Sequence, residues 1–293
     1  MLFDDATLRK LSQLTLVAAR IRAGGIQGDR RSTRRGSSVE FADYRNYSPG
    51  DDLRRLDWNI YARLERPFIK LFEEEEDLAV TILLDGSASM SWGQAELNKF
   101  DYARRLAGGL GAVALSNGDQ LSVALLRDGQ LAAEDGPMRG PAALARLFRF
   151  LEPLAPGGNT DLNGSLRQAA IKPRRRGLAI LISDLLAPEG YESGLREFLG
   201  RNYEVVLLHL LAPDELDPQL AGDLQLVDLE TGQGQDVSLD GGLRSLYRQR
   251  AQAWLQAVQA DCRKRGIRYL YLNTRRPWDQ ALLLEMRHAA IVK

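Results

Sequence analysis

Apolar positions along the chain are spaced in two ways from about residue 79 onward. Short continuous apolar runs alternate with longer segments in which apolar residues recur every three or four positions. Continuous runs of this length are typical of strands buried on both faces, and the longer segments are typical of helices. Strands that alternate with helices are joined by crossovers, which makes them parallel neighbours. We therefore expect an α/β fold with a Rossmann-like, doubly wound and mainly parallel sheet.

The boundaries of these elements follow from the same pattern. The expected strands lie at 78–85, 120–134, 177–183, 202–211 and 266–273, and the expected helices lie at 99–116, 140–154, 162–172, 191–200, 243–265 and 277–288. Asp128-Gly129 divides the run at 120–134, and this dipeptide is a strong signal of a two-residue hairpin turn. The second half of that run should be an antiparallel edge strand. A further hairpin is expected at 224–239, around Thr231-Gly232.

The first 78 residues have a different pattern. Aliphatic side chains recur at near-helical spacing over 5–22, which predicts an amphipathic helix that ends before Gly24 and Gly25. A polar, basic stretch follows, and after it aromatic residues alternate with charged ones. We expect residues 1–78 to form an N-terminal helix and a segment that packs on a main domain of residues 79–293.

Composition and charge limit the classes of function. The chain has 293 residues, 44% of them hydrophobic, which is enough for one large core or two modest ones. Its 39 basic residues balance 39 acidic ones, so no overall charge attracts nucleic acid or an anionic membrane. The single cysteine, Cys262, excludes an internal disulfide framework. No apolar run reaches a membrane span of about 18 residues, and the charged N-terminus is unlike a signal peptide, so we expect a cytoplasmic protein.

Oxygen-bearing side chains form three groups next to predicted elements, two after strands and one before a helix. The groups are Asp85, Ser87 and Ser89; Asn159, Thr160 and Asp161; and Asp184. Ligands of open α/β sheets bind beyond the carboxyl ends of the strands, where the strand order reverses. Hydroxyls and carboxylates without histidine or cysteine suit a hard cation such as Mg²⁺ or Mn²⁺. Helix capping or turn formation explains each group when it is considered alone.

Three motifs resemble the metal-ion-dependent adhesion site (MIDAS) of von Willebrand factor type A domains. They are "DGSASM" at 85–90, "GGNTDL" at 157–162 and "LISDL" at 181–185. The resemblance implies a von Willebrand factor A fold with a bound Mg²⁺, Mn²⁺ or Ca²⁺ ion. The ligands that it implies are Asp85, Ser87, Ser89, Thr160 and Asp184.

An upstream block is similar to the bacterial family named domain of unknown function 58. "EFADYRNYSPGDDLRRLDWNIYAR" at 40–63 and "KLFEEEED" at 70–77 carry this resemblance, which spans roughly residues 30–290. Members of that family join this block to a type A domain. Many are anchored in the membrane by N-terminal helices, and this chain is similar to the shorter soluble members. The resemblance implies a MoxR-type AAA+ ATPase as partner, with the pair acting as a chaperone-like system on a client protein.

We therefore expect a non-enzymatic, metal-dependent module for protein-protein interaction, in which the bound ion accepts an acidic residue of the partner. Further partner contacts are expected from polar and aromatic residues of the upstream block and from one residue beside the site. These are Arg45, Tyr47, Asp51, Asp52, Arg54, Trp58 and Asp161. A purely structural role for the upstream block, with its aromatic residues buried, is the alternative.

Two other functions stay open. A Mg²⁺-dependent phosphatase could use Asp85 as its nucleophile, although Ser87 stands where such enzymes usually carry a second acid. The arginines of the loop from Arg30 to Arg35 could bind nucleic acid. The chain has neither a G-x-S-x-G nucleophile elbow nor a P-loop, which argues against a serine hydrolase and an ATPase.

Overall fold

The described residues of the computed structural model separate into two units. The model describes residues 3–18, 39–48, 51–74, 78–219, 222–229, 232–239 and 241–293. The larger unit takes the described residues of 1–18 and 78–293, and the smaller unit takes those of 19–77. The division near residue 78 coincides with the change in hydrophobic pattern. Residues 3–18, however, belong to the larger unit, whereas the sequence pattern grouped them with the upstream block.

The described elements are numbered in chain order. The strands are β1 (Val39–Asn46), β2 (Phe68–Glu74), β3 (Ala79–Asp85), β4 (Gln120–Arg127), β5 (Gln130–Arg139), β6 (Leu178–Ser183), β7 (Glu204–Leu211), β8 (Gly222–Val227), β9 (Gly234–Leu239) and β10 (Arg268–Asn273). The helices are α1 (Asp5–Leu11), α2 (Trp58–Leu64), α3 (Lys99–Ser116), α4 (Leu144–Leu151), α5 (Leu162–Ile171), α6 (Glu192–Gly200), α7 (Pro213–Leu216), α8 (Gly241–Arg265) and α9 (278–288). The middle turn of α9, Ala281–Glu285, is π-helical.

Six strands of the described chain form the main sheet, in the order β10-β7-β6-β3-β4-β5. Neighbours from β10 to β4 are parallel, and β5 runs antiparallel at the edge. The chain leaves β3 towards β4 and β5 on one side and returns to β6 on the other. The strand order therefore reverses between β3 and β6, and this mostly parallel, Rossmann-like arrangement was expected from the sequence.

The expected hairpins are present. Asp128 and Gly129 join β4 to β5 with φ values of 53° and 71°, as a two-residue turn of this kind requires. β8 and β9 also pair antiparallel, although Thr231 at their connection lies outside the described residues. None of the helices in the described ranges carries an apolar stretch that would traverse a lipid bilayer.

The core lies on both faces of the central strands. All seven residues of β3, all six of β6 and all eight of β7 are buried. Helix α3 packs against this sheet and against α4, and Gly111 allows the close approach. A Cβ atom at Gly111 would lie 2.6 Å from Cδ2 of Leu147 and 3.0 Å from Cδ2 of Leu121.

The predicted helix at 5–22 is wrong over residues 12–18, and its last four residues lie outside the described part of the chain. Helix α1 ends at Leu11, and the chain then becomes extended and pairs with the C-terminal residues. Thr15 N donates to Lys293 O at 3.1 Å, and Lys293 N donates to Thr15 O at 2.8 Å. Leu14, Leu16 and Ala18 are buried while the residues between them are partly exposed. This alternation has the period of a strand, which short aliphatic runs can satisfy as well as the period of a helix.

The smaller unit contains an antiparallel pair that the sequence pattern did not predict. β1 pairs with β2, and helix α2 lies between them in the chain. Asp57 caps α2, because its Oδ1 atom accepts hydrogen bonds from Asn59 N at 2.9 Å and from Ile60 N at 3.2 Å. The hydroxyl of Tyr44 donates to Oδ2 of the same carboxylate at 3.0 Å. Asp57 thus ties the start of α2 to strand β1.

Candidate functional site

Backbone hydrogen bonds join two of the predicted groups at the carboxyl edge of the sheet. Gly157 N donates to Gly86 O at 2.9 Å, and Ala88 N donates to Gly158 O at 3.1 Å. The loop that follows β3 therefore lies against the loop that leads into α5. Thr160, in the second loop, is buried with 7% of its surface exposed. This pairing is consistent with the expectation, drawn from the sequence, that the two groups lie close together.

The end of β6 joins the same edge through Ser183. The Ser183 hydroxyl donates to Oδ2 of Asp85 at 2.6 Å and accepts a hydrogen bond from Leu185 N at 2.9 Å. Ser183 was not among the predicted site residues. Its position directly before Asp184, at the end of a buried strand, is the sequence feature that could have identified it as a site residue. It fixes one oxygen of the Asp85 carboxylate at the point where the strand order reverses.

Three predicted ligands come together at the end of β3 and in the loop that follows it. Oδ1 of Asp85 accepts a hydrogen bond from Ser87 N at 3.0 Å, and the hydroxyls of Ser87 and Ser89 are 3.0 Å apart. Asp85 and Ser87 are each 1% exposed, whereas Ser89 is partly exposed. The loop thus directs two hydroxyls to one place beside a buried carboxylate.

Asp184 is held by a lysine that the sequence did not indicate. Oδ2 of Asp184 accepts a hydrogen bond from Lys99 Nζ at 2.6 Å, and Oδ1 accepts one from Leu186 N at 3.0 Å. Lys99 Nζ also donates to Oε1 of Glu215 at 2.5 Å, while Oε2 of Glu215 accepts a bond from Ala212 N at 2.7 Å. The side chains of Lys99 and Asp184 are completely buried. Both oxygens of Asp184 are therefore engaged within the protein.

Burial and mutual repulsion shape the electrostatics of this cluster. Burial, reinforced by the charge of Asp184, raises the pKa of Asp85 to about 6. Burial opposes the charge of Lys99, but Asp184 and Glu215 outweigh it and raise the pKa of the ammonium above its ordinary value. Burial also raises the pKa of Glu215, although Lys99 acts in the opposite direction. Negative charge thus exceeds positive charge among these four described side chains.

His209 supports the cluster from strand β7. Its Nε2 atom lies 3.0 Å from the carbonyl oxygen of Asp184, and its Nδ1 atom lies 2.9 Å from the hydroxyl of Tyr269. Because a carbonyl can only accept, Nε2 carries the proton and Nδ1 accepts from the tyrosine. Burial lowers the pKa of His209 to about 4, so the ring is neutral at neutral pH. This histidine is a packing residue that holds the backbone of Asp184.

The side chains at this edge suit a hard cation better than a transition metal. In the described ranges, no three histidine, cysteine, aspartate or glutamate side chains converge in a way that could hold a metal ion. The convergent oxygens belong instead to Asp85 and to the hydroxyls of Ser87 and Ser89, and oxygen ligands of this kind suit Mg²⁺. The buried Asp85 carboxylate accepts hydrogen bonds from two neutral groups, the Ser87 amide and the Ser183 hydroxyl. The donor set therefore fits a divalent ion at this edge.

The other predicted partner-binding residues occupy different surroundings. Asp161 caps α5 by accepting a hydrogen bond from Gly164 N at 2.7 Å. In the smaller unit, Arg45 pairs with Asp51 at 2.8 Å, and Asp52 accepts a bond from Arg54 N at 3.0 Å.

Two aromatic residues of the upstream block differ in exposure. Trp58 is 63% exposed, and its ring meets that of Tyr61 edge-on at 6.2 Å. Tyr47 is partly exposed. The exposed Trp58 side chain is accessible to a partner protein, as the interpretation of this block as a docking surface requires. The loop from Arg30 to Arg35 lies outside the described residues.

Comparison with known proteins gives uncharacterized relatives. Uncharacterized proteins of Mycobacterium tuberculosis and Mycobacterium bovis are each 30% identical over 279 residues, which cover 94% of this chain and 87% of the relative. The crystal structure of the conserved hypothetical protein BatB from Bacteroides thetaiotaomicron aligns with 17% identity and a TM-score of 0.44, covering 73% of this chain and 98% of that chain. An aerotolerance-related membrane protein from Bacteroides fragilis aligns with 15% identity and a TM-score of 0.43 over the same shares.

A family model covers most of the sequence. The model described as "Protein of unknown function DUF58" matches residues 43–256, which include the upstream block from Asp43 and all of the candidate site. Because this match spans well over half of the chain, the protein belongs to the DUF58 family.

Proposed function

We propose that this protein is a non-enzymatic interaction module of the von Willebrand factor A type that binds an acidic residue of another protein through a divalent cation. The observation that carries the proposal is the convergence of Asp85, Ser87 and Ser89 at the point where the strand order reverses. Ligands of open α/β sheets bind at such points. The motif resemblance to a MIDAS supports the same interpretation.

The charge of the cluster also supports a divalent cation. Asp85, Asp184 and Glu215 carry three negative charges when ionised, and Lys99 carries one positive charge, which leaves an excess of two. Uncompensated buried charge is costly, and one divalent ion offsets this excess. Burial, reinforced by the charge of Asp184, raises the pKa of Asp85, and a cation beside the carboxylate would favour its ionised form.

The residues around the ion have separate tasks in this proposal. Asp85, positioned by Ser183, supplies the anionic ligand, and Ser87, Ser89 and Thr160 supply neutral hydroxyls. Asp184 contributes charge while its oxygens stay bonded to Lys99 and Leu186. An ion with few anionic ligands keeps enough positive charge to attract a carboxylate from a partner. We propose a MoxR-type AAA+ ATPase as that partner and a chaperone-like action of the pair on a client protein.

A binding assay with matched serine variants tests the proposal. A purified MoxR-type ATPase is passed over the immobilised protein in Mg²⁺, in EDTA, and in EDTA followed by excess Mg²⁺. We expect retention in Mg²⁺, loss in EDTA and recovery after readdition. Ser89→Ala should lose retention, whereas Ser91→Ala should keep it, because the exposed Ser91 hydroxyl bonds to Ala88 O at 2.7 Å. Retention that persists in EDTA would remove the ion from the mechanism.

A further inference from the structure

Lys99 is an unusual residue for the position it occupies. It is the first residue of α3, where the helix dipole is positive and a cation is unfavourable. Its side chain is nevertheless completely buried, and its ammonium bonds to Asp184 at 2.6 Å and to Glu215 at 2.5 Å. Two carboxylates therefore hold one cation in a place where neither burial nor the helix favours it.

Stability alone does not explain this arrangement. Buried ion pairs are often no more stable than apolar side chains of similar volume. The buried Lys99 and Asp184, with the partly buried Glu215, therefore indicate a role that depends on charge. The Ser183 hydroxyl connects Asp85 to the end of β6, and Asp184 is the next residue, so Lys99 acts on the same site through the Asp184 carboxylate.

Building on the proposed function, we propose that Lys99 is a fixed cation of the site that neutralises Asp184 and thereby weakens the binding of the divalent ion. Lys99 is a positioning residue in this scheme, because it acts through Asp184 and Glu215. Its positive charge repels an ion bound at the Asp85 loop, and Glu215 offsets part of that repulsion. The site can then release its ion, and a bound ion keeps its attraction for the carboxylate of a partner.

Opposite charge changes distinguish this role from a structural one. Mg²⁺ and Mn²⁺ are titrated by calorimetry into the wild type and into Lys99→Met, Glu215→Gln and the double variant, each checked by a melting scan. Lys99→Met should bind about tenfold more tightly, a change of about 1.4 kcal/mol, and Glu215→Gln should bind several-fold more weakly. The double variant, which restores the net charge, should bind with an affinity near that of the wild type. If Lys99 and Glu215 only stabilise the fold around the site, both single variants should bind the ion more weakly than the wild type.

The matched control is Lys172→Met. Lys172 also pairs with a glutamate, Glu134, but at the far end of α5 from the site, so its loss should not change ion affinity. If Lys99→Met does not fold, the double variant is compared with Glu215→Gln, and loss of Lys99 in that background should again tighten binding about tenfold.

The outcomes separate this inference from the proposed function. An ion that binds the Lys99→Met variant but not the wild type would support the role of Lys99 and refute the metal-dependent function of the native protein. Unchanged or weaker ion binding on loss of Lys99 would overturn the inference. The wild-type titration would then be the test of the proposed function.

Discussion

The Ser183 hydroxyl donates a 2.6 Å hydrogen bond to Oδ2 of Asp85, and this bond connects the ends of the parallel neighbours β3 and β6, between which the strand order reverses. Ser87 N holds the other oxygen of the same carboxylate at 3.0 Å. Asp85 is therefore oriented by a hydroxyl from one strand and an amide from its own loop. Such orientation by neighbouring donors prepares a carboxylate to hold an ion.

Replacement of Ser183 by alanine should weaken both the fold and the site. The change leaves Leu185 N and Oδ2 of Asp85 without their buried partner, which costs about 1–3 kcal/mol in the free energy of unfolding. We expect Mg²⁺ affinity to fall about tenfold, because the carboxylate loses its orientation. Urea unfolding and calorimetry measure the two effects. Ser12→Ala, which removes an exposed hydroxyl bonded to Arg9 O, should change neither; equal effects of both variants would contradict this role of Ser183.

Gly158 keeps the Thr160 loop against the β3 loop. Gly158 and Gly140 have nearly equal φ values of 73° and 72°, so alanine at either position meets the same backbone strain. At Gly158 the new Cβ atom would also lie 2.5 Å from Oδ1 of Asp128, the atom that accepts the Asn159 N hydrogen bond, whereas the space at Gly140 is open.

We therefore expect Gly158→Ala to destabilise the protein by about 1 kcal/mol more than Gly140→Ala. Gly158→Ala should also lower ion affinity, and Gly140→Ala should not. Chemical unfolding and ion titration of the two variants provide the comparison. Identical behaviour would mean that this loop does not contribute to the site.

Asp161 variants can separate helix capping from partner binding. The carboxylate accepts a hydrogen bond from Gly164 N at 2.7 Å, and asparagine can replace it as a cap. Asp161→Ala should lower stability by about 1 kcal/mol, while Asp161→Asn should keep it. If the charge of Asp161 contacts the partner ATPase, the asparagine variant should lose affinity at unchanged stability. A loss of affinity in the alanine variant alone would assign Asp161 to capping.

Glu134 should make stability depend on pH at the acidic end. Burial would raise the pKa of Glu134, but hydrogen bonds and charges from Lys172 and Arg174 outweigh burial and lower it. A lowered pKa means that the stabilisation is complete above the ordinary value of 4.5 and is lost as the pH falls through the lowered value.

We expect Glu134→Gln to reduce the free energy of unfolding by about 1 kcal/mol at pH 7, and the difference from the wild type should shrink as the pH falls below about 4.5. Urea unfolding at a series of pH values measures this difference. Glu197→Gln is the control, because Glu197 meets Arg201 at 4.0 Å on an exposed helix face. A Glu134 difference that stays constant with pH would contradict the ion pair.

Local patterns predicted the mostly parallel sheet and its edge hairpin, because continuous apolar runs and the Asp128-Gly129 turn each favour one structure. Helix α3 begins and ends where its pattern predicts. The segment from Ser12 to Ala18 was predicted incorrectly because a short aliphatic run satisfies two periodicities. The contacts of Lys99 could not be predicted, because Asp184 and Glu215 lie 85 and 116 positions away in the sequence. Contacts at such separations are set by the strand order rather than by neighbouring residues.

Calorimetric titration of Mg²⁺ and Mn²⁺ into the wild type and Asp85→Asn tests the central claim most directly. Asparagine keeps one acceptor oxygen for Ser87 N, its amide group can donate to the Ser183 hydroxyl, and the buried charge is removed, so we expect the ion-free variant to fold, which a melting scan checks. We predict that the wild type binds a divalent ion and that the folded variant binds it at least about 100-fold more weakly. A wild type that binds neither ion, or a variant that binds with unchanged affinity, would contradict the claim that this loop is a metal site.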